Sequence, residues 1–273
     1  MQTGLNQWCF PEGTPLEDVF LWTKEAGMGV VELNVGEPGG VGLTMETTAE
    51  EATAIKRLAD RYAIQLRSLS TALLWKTPLS ANDGNLREEG KEVVRKMLAL
   101  ADVMEMETIL VVPGVVTKDV SYRDCYERSQ TALRELAPYA ERANTSIGVE
   151  NVWNRFLLSP LEMAAFIDGC ESPFVGAYFD VGNVLQFGYP EQWIEILNER
   201  ILKVHVKDFK TSTGNITGFT NLLSGDVDWK KVANALREIG YDSTIVAELS
   251  PYDTSAKALA IDTAHHMDVI FGQ

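Results

Sequence analysis

Four residues able to ligate a cation recur near the ends of successive short, β-rich runs. Glu150 closes the run 146–150, Asp180 closes 175–180, His205 lies late in 201–207, and Glu248 closes 244–248. Three carboxylates and one imidazole make a hard-to-borderline donor set suited to Mn²⁺, Mg²⁺ or Co²⁺, with Zn²⁺ as a further fit. Any one carboxylate alone reads as a helix cap or a lysine partner, and a single strand histidine reads first as core. Four in register make coincidence the weaker explanation. His205 sits in the stretch Lys-Val-His-Val-Lys-Asp-Phe, residues 203–209. Strand alternation turns it, together with Lys207, away from the intervening valines. The other two of the three histidines, His265 and His266, adjoin each other near the C-terminus.

Whether these ends meet depends on the elements that carry them. β-branched and alternating runs predict strands at 3–10, 30–33, 64–71, 108–112, 146–150, 175–180, 201–207 and 244–248. Amphipathic stretches with Pro or Gly punctuation predict helices at 16–26, 48–62, 85–104, 122–142, 160–169, 191–198, 229–239 and 255–270. Residues 208–225 read as a polar loop. Strand and helix alternate eight times with no linker or low-complexity break, which implies parallel pairing through right-handed crossovers. Eight such units close a barrel, so the expected fold is α/β, a single-domain (β/α)₈ TIM barrel over 1–273. An open doubly wound sheet is the alternative, weakened because no G-x-G-x-x-G follows the first strand.

In such a barrel the site lies at the C-terminal strand ends, and neighbouring strands are about 4.8 Å apart. Strands five to eight therefore bring Glu150, Asp180, His205 and Glu248 toward one ion. Glu32, on strand two, is far around the ring and reads as structural or supporting. Lys207 is expected either to hold a substrate oxygen or phosphate, or to neutralise Asp208 and the nearby carboxylates. The loop 210–214, Lys-Thr-Ser-Thr-Gly, follows strand seven, where many barrels bind phosphate. Trp8, Phe10 and Trp75 are candidate walls for a ligand, and Arg155 is a candidate anion holder.

Composition narrows the partners. Lys and Arg number 24 against 39 Asp and Glu, a formal charge of −15, which repels phosphate backbones and disfavours nucleic acid. A hydrophobic fraction of 45% and a charged fraction of 23% are ordinary for a soluble domain with a sizeable core. Cys9, Cys125 and Cys170 are odd in number and form no C-x-x-C pair, which points to a reducing compartment. No signal-like or membrane-spanning run is evident, so a cytoplasmic location is expected.

Val149-Glu150-Asn151, the stretch 178–183 (Tyr-Phe-Asp-Val-Gly-Asn), Val204-His205-Val206-Lys207-Asp208 and Ala247-Glu248 resemble the motifs of the sugar phosphate isomerase/epimerase group. These are xylose isomerase-like TIM barrels that include ketose 3-epimerases. The resemblance covers nearly the whole chain in motif order. It implies a divalent ion, Mn²⁺ foremost, held by Glu150, Asp180, His205 and Glu248, with Glu150 and Glu248 doubling as the acid/base pair. The implied activity is 3-epimerisation of a ketose or ketose phosphate through a metal-stabilised enediolate. The scaffold is shared with inosose dehydratases and isomerases, 3-keto-glycoside lyases and endonuclease IV, and a non-catalytic barrel is a further alternative. A homo-oligomer is left open. One departure is Asn183, where free-sugar 3-epimerases often carry histidine. Asparagine binds a sugar hydroxyl but does not titrate. The stretch 151–156 also differs from the free-sugar pattern. Both departures point away from a free hexulose and leave a phosphorylated or otherwise modified sugar open.

Overall fold

The computed structural model describes residues 1–272. Eight parallel strands close into a barrel: β1 (Gln2–Asn6), β2 (Val30–Gly36), β3 (Gln65–Ser70), β4 (Thr108–Val111), β5 (Ser146–Glu150), β6 (Val175–Asp180), β7 (Ile201–Val206) and β8 (Thr244–Ala247). Each pairs with its sequence neighbour, and β1 pairs with β8 (Gln2 beside Thr244) as well as β2 (Gly4 beside Val30), which closes the ring; a short strand, Leu43–Thr44, adds on at the end of β2. Helices α1 (Leu16–Glu25), α2 (Ala49–Arg61), α3 (Gly84–Met104), α4 (Tyr122–Ala143), α5 (Pro160–Asp168), α6 (Pro190–Leu197), α7 (Trp229–Glu238) and α8 (Ala256–Phe271) alternate with the strands. Among the described residues no helix is long and apolar enough to cross a membrane.

Local chemistry sets where these helices begin. Thr48 accepts from the Glu51 amide while Glu51 accepts from the Thr48 amide, a capping box before α2 worth about 1 kcal/mol. Ser121, Ser159 and Ser255 cap α4, α5 and α8 through the amide three residues on. Pro160 and Pro190 occupy first-turn positions, where a missing N–H costs nothing.

Inside the barrel many of the alternating positions are polar and stack in layers. Lys203 is buried at the N-terminal side, paired with Glu107 and donating to Ser243 Oγ at 2.8 Å. Above it lie Glu32, Ser68, Tyr178 and His205, and above those Glu150, Asp180 and Lys207. The intervening Val204 and Val206 are fully buried in the hydrophobic core.

Several sequence boundaries shift. β1 stops at Asn6 and not at residue 10, because the Asn6 side chain accepts from Trp8 N at 2.7 Å and starts a 3₁₀ turn, Gln7–Cys9. β7 ends at Val206 and β8 at Ala247, so Lys207 and Glu248 lie just past the strands. The expected polar loop after β7 contains an antiparallel pair, Asp208–Phe209 with Phe219–Thr220, held by edge contacts among Phe209, Phe219 and Trp153.

Candidate metal centre and sugar-binding cleft

Register places Asp180 directly beside His205 across the β6–β7 pair, with Glu150 on β5 to one side and Glu248 after β8 to the other. One donor atom from each of Glu150, Asp180, His205 and Glu248 falls within 4.8 Å of the rest. Glu150, Asp180 and His205 are buried, and Glu248 is 20% exposed toward the cleft.

His205 is aimed from below. Its Nε2 lies 2.6 Å from Glu32 Oε1, and Glu32 also accepts from Asn6 Nδ2 at 2.6 Å, from Ser68 Oγ and from the Tyr178 hydroxyl. With the Nε2 proton committed to Glu32, Nδ1 faces the carboxylates; it is 3.8 Å from Glu248 Oε2 and has no hydrogen-bond partner. An imidazole nitrogen left bare among three carboxylates, with its other nitrogen tied to a buried acid, is the arrangement that metal-ligating histidines adopt. The donor set fits a divalent ion.

Glu32 thus corrects the sequence reading in one respect. It is far along the ring of strands but adjacent across the barrel interior, where β2 and β7 side chains meet. Lys207 does neutralise nearby carboxylates, as one sequence reading expected, but Asp208 is not among them. Its ammonium is 2.9 Å from Asp180 Oδ2 and bonded to Glu248, whereas Asp208 faces elsewhere and accepts from the Phe209 and Val227 amides and the Trp229 indole. Gly182 makes this possible, since a Cβ there would fall 2.6 Å from the Lys207 side chain and from its carbonyl.

These contacts set the charges. Burial pushes Glu150 up to about 8, helped by the negative charge of Glu248. Burial also raises Asp180, against the opposing pull of Lys207. For Glu248 burial acts upward, but Lys207 and His205 outweigh it and hold the carboxyl below its usual range. Burial opposes charge on both members of the lower pair, yet their mutual attraction prevails: Glu32 is held down to about 2 and His205 up to about 9. Lys207 is raised by Asp180, Glu248 and Glu150 despite its burial.

Residues next to the cluster fix its geometry. Asn151 and Asp180 exchange two hydrogen bonds of 2.8 Å, tying the end of β5 to that of β6. Asn183 donates its backbone N–H to Asp180 Oδ1 at 2.8 Å, and its side-chain nitrogen lies 3.4 Å from Glu150 Oε1. Its carbonyl accepts from the Trp153 indole at 2.8 Å. Sequence reasoning did not single out Asn151 or Trp153, whose roles depend on how the 151–158 loop folds back. Arg155 and Leu157 in that loop have positive φ, 63° and 52°, while the buried Asn154 side chain anchors it to Gly114 O.

A cleft of about 900 Å³ opens above the cluster, lined by Trp8, Trp75, Trp153, Phe219 and Tyr252 together with Asn183, Asn221, Lys207 and Glu248. Trp8, Trp75, Asn183 and Lys207 are thus brought to one opening. Phe10 is buried against Trp22, and Arg155 lines a separate, more apolar cavity behind Trp153.

A closed barrel with side chains able to hold a cation at the C-terminal ends of its last four strands defines a TIM-barrel class whose chemistry is seated on the strand ends. The chain belongs to the xylose isomerase-like TIM barrel family, whose description matches residues 20–268. It is 22% identical over 253 residues to the L-ribulose-5-phosphate 3-epimerase UlaE of Salmonella paratyphi A, covering 90% of this chain and 86% of that one. A solved L-ribulose 3-epimerase superposes with a TM-score of 0.83 at 18% identity, over 99% of this chain and 94% of its own. A D-psicose 3-epimerase solved in the presence of D-fructose gives 0.82 at 16% identity, covering all of both chains.

The centre's fit to a cation has a measurable consequence. Manganese at about a hundred times its Kd is expected to stabilise the fold by about 2.7 kcal/mol. The expected result is a rise in Tm that a chelator reverses and that His205→Ala abolishes.

Proposed function

We propose that this protein is a divalent-metal-dependent sugar epimerase that inverts C3 of a ketose, with Mn²⁺ as the favoured ion. The observation that carries the reading is the placement of Glu150 and Glu248 on the outer two of four consecutive strand ends, flanking Asp180 and His205. Epimerisation needs a proton removed from one face of a carbon and returned to the other, so it needs two proton-carrying groups on opposite sides of the sugar. A divalent ion held by Glu150, Asp180, His205 and Glu248 would polarise the ketone and offset the negative charge that develops on its oxygen.

The protein's own residues do the rest. One glutamate takes the C3 proton and the other supplies a proton from the opposite face, the two exchanging roles in the reverse direction. Asn183 orients Glu150 and offers its amide to a sugar hydroxyl. Lys207 holds Glu248 and Asp180 in place. Trp8 and Trp75 pack against the apolar faces of the sugar. The similarity to ketose and ketose-phosphate 3-epimerases supports the same reading.

The test is exchange. Manganese-loaded protein in D₂O is expected to incorporate deuterium at C3 of a ketose as the epimer forms, followed by proton NMR. Loss of water or of an aglycone without C3 inversion would instead mark a lyase, and no exchange with any ketose or ketose phosphate would sink the proposal.

A further inference from the structure

Building on that reading, we infer that the sugar accepted by this cleft is uncharged, a ketose or keto-sugar without a phosphate ester. Three observations converge on this.

The first is the fate of the groups that would bind phosphate. Barrels of this kind frequently hold a phosphate with the loops after the seventh and eighth strands. Here Thr211, in the loop after β7, donates both its backbone N–H (2.8 Å) and its hydroxyl (2.7 Å) to Asp226 Oδ2, with Lys210 4.0 Å from the other Asp226 oxygen. An internal carboxylate thus already satisfies the donors this loop could offer an anion. In the following 3₁₀ turn, Thr217 donates its N–H and hydroxyl to Asn215 Oδ1. After β8, the lining residue Pro251 has no N–H to offer, and the cap of α8 is closed by Ser255 onto Ala258 N.

The second is charge. Lys207 is the one cationic side chain among the residues lining the cleft, and it is engaged by Asp180 and Glu248. The carboxyl groups of Glu150, Asp180 and Glu248 surround this ammonium, so the residues lining the cleft leave a phosphate dianion no free cationic partner. The nearest alternatives face other spaces: Lys76 pairs with Glu37 at 2.6 Å in a neighbouring cavity, and Arg155 lies behind Trp153.

The third is the lining itself. Trp8, Trp75, Trp153, Phe219 and Tyr252 supply aromatic rings, and Asn183, Thr220, Asn221 and Ser250 supply neutral hydrogen-bonding groups. Ring faces pack on the C–H faces of a sugar while neutral amides and hydroxyls satisfy its hydroxyls. At about 900 Å³ the cleft also has room for a substituent beyond a single pentulose or hexulose.

The experiment compares L-ribulose with L-ribulose 5-phosphate on the manganese-loaded full chain. Titration calorimetry reads affinity, and C3 deuterium exchange reads turnover. The free sugar is expected to bind more tightly by about tenfold or more and to exchange with the higher kcat/KM, with Arg155→Ala leaving both unchanged. Tighter binding or faster exchange of the phosphate ester would overturn the inference, and loss of that preference in Arg155→Ala would place the anion site behind Trp153. If neither sugar exchanges, the epimerase reading fails, yet calorimetry still decides the charge preference.

Discussion

Glu150→Gln and Glu248→Gln are each expected to lower interconversion of C3 epimers by about 10²–10⁴-fold, the usual worth of a positioned acid/base. Glutamine keeps a carbonyl oxygen at the ligand position but cannot carry the proton. The two variants are also expected to fail differently. Each retains one carboxylate, so each continues to wash deuterium into the single epimer whose C3 proton faces that carboxylate, while conversion to the other epimer stops. A one-base isomerisation predicts another pattern, in which one variant loses all exchange and the other loses none. Separate NMR measurements on each epimer distinguish these outcomes, and manganese content measured on the same samples shows whether the ion was retained. Matching losses of exchange in both epimers, with manganese retained, would refute the two-base assignment.

The sequence made the four-residue cluster legible because each member ends a β-rich run and strand alternation fixes its side. Neighbouring strands in sequence are neighbours in the barrel, so order along the chain became proximity in space. That logic works around the ring and fails across it. Glu32 and His205 are 173 residues and several strands apart, yet bonded, because a barrel interior is only a few side chains wide. The same blindness hid Tyr178, whose hydroxyl crosses to Glu32, although the residue lies inside a recognisable motif. Loops were the other gap. Thr211 and Asp226 are paired across 15 residues through a two-stranded hairpin that has no clear periodic signal, so a loop that reads as phosphate-binding is already satisfied internally. Trp153 reads as one aromatic in a variable stretch, and becomes a wall of the cleft only once Asn154 anchors that loop.

Glu32→Leu is expected to cost about 3–5 kcal/mol of folding stability, the range for removing one partner of a buried ion pair. His205, Tyr178, Ser68 and Asn6 all direct donors at this carboxylate, which is 0% exposed, and leucine removes the acceptor they share, leaving Asn6 only Asn34 and Ser70 and Tyr178 only Ser68. Glu32→Gln separates charge from position. Its amide oxygen still accepts from His205 Nε2, so the imidazole stays oriented, but the negative charge that makes Nδ1 a stronger donor to a cation is gone. Loss of such a partner behind a ligating histidine typically weakens metal binding about 10–100-fold. Glu32→Gln is therefore expected to be mildly destabilised in denaturant titrations yet clearly weakened in manganese affinity, measured at a temperature where the variant is folded. A purely structural Glu32 predicts the reverse combination, with stability falling and the manganese Kd of the folded protein unchanged. Because the two roles move different observables, the pair of substitutions decides whether the layer beneath the cluster only fills the barrel or also tunes the ion above it.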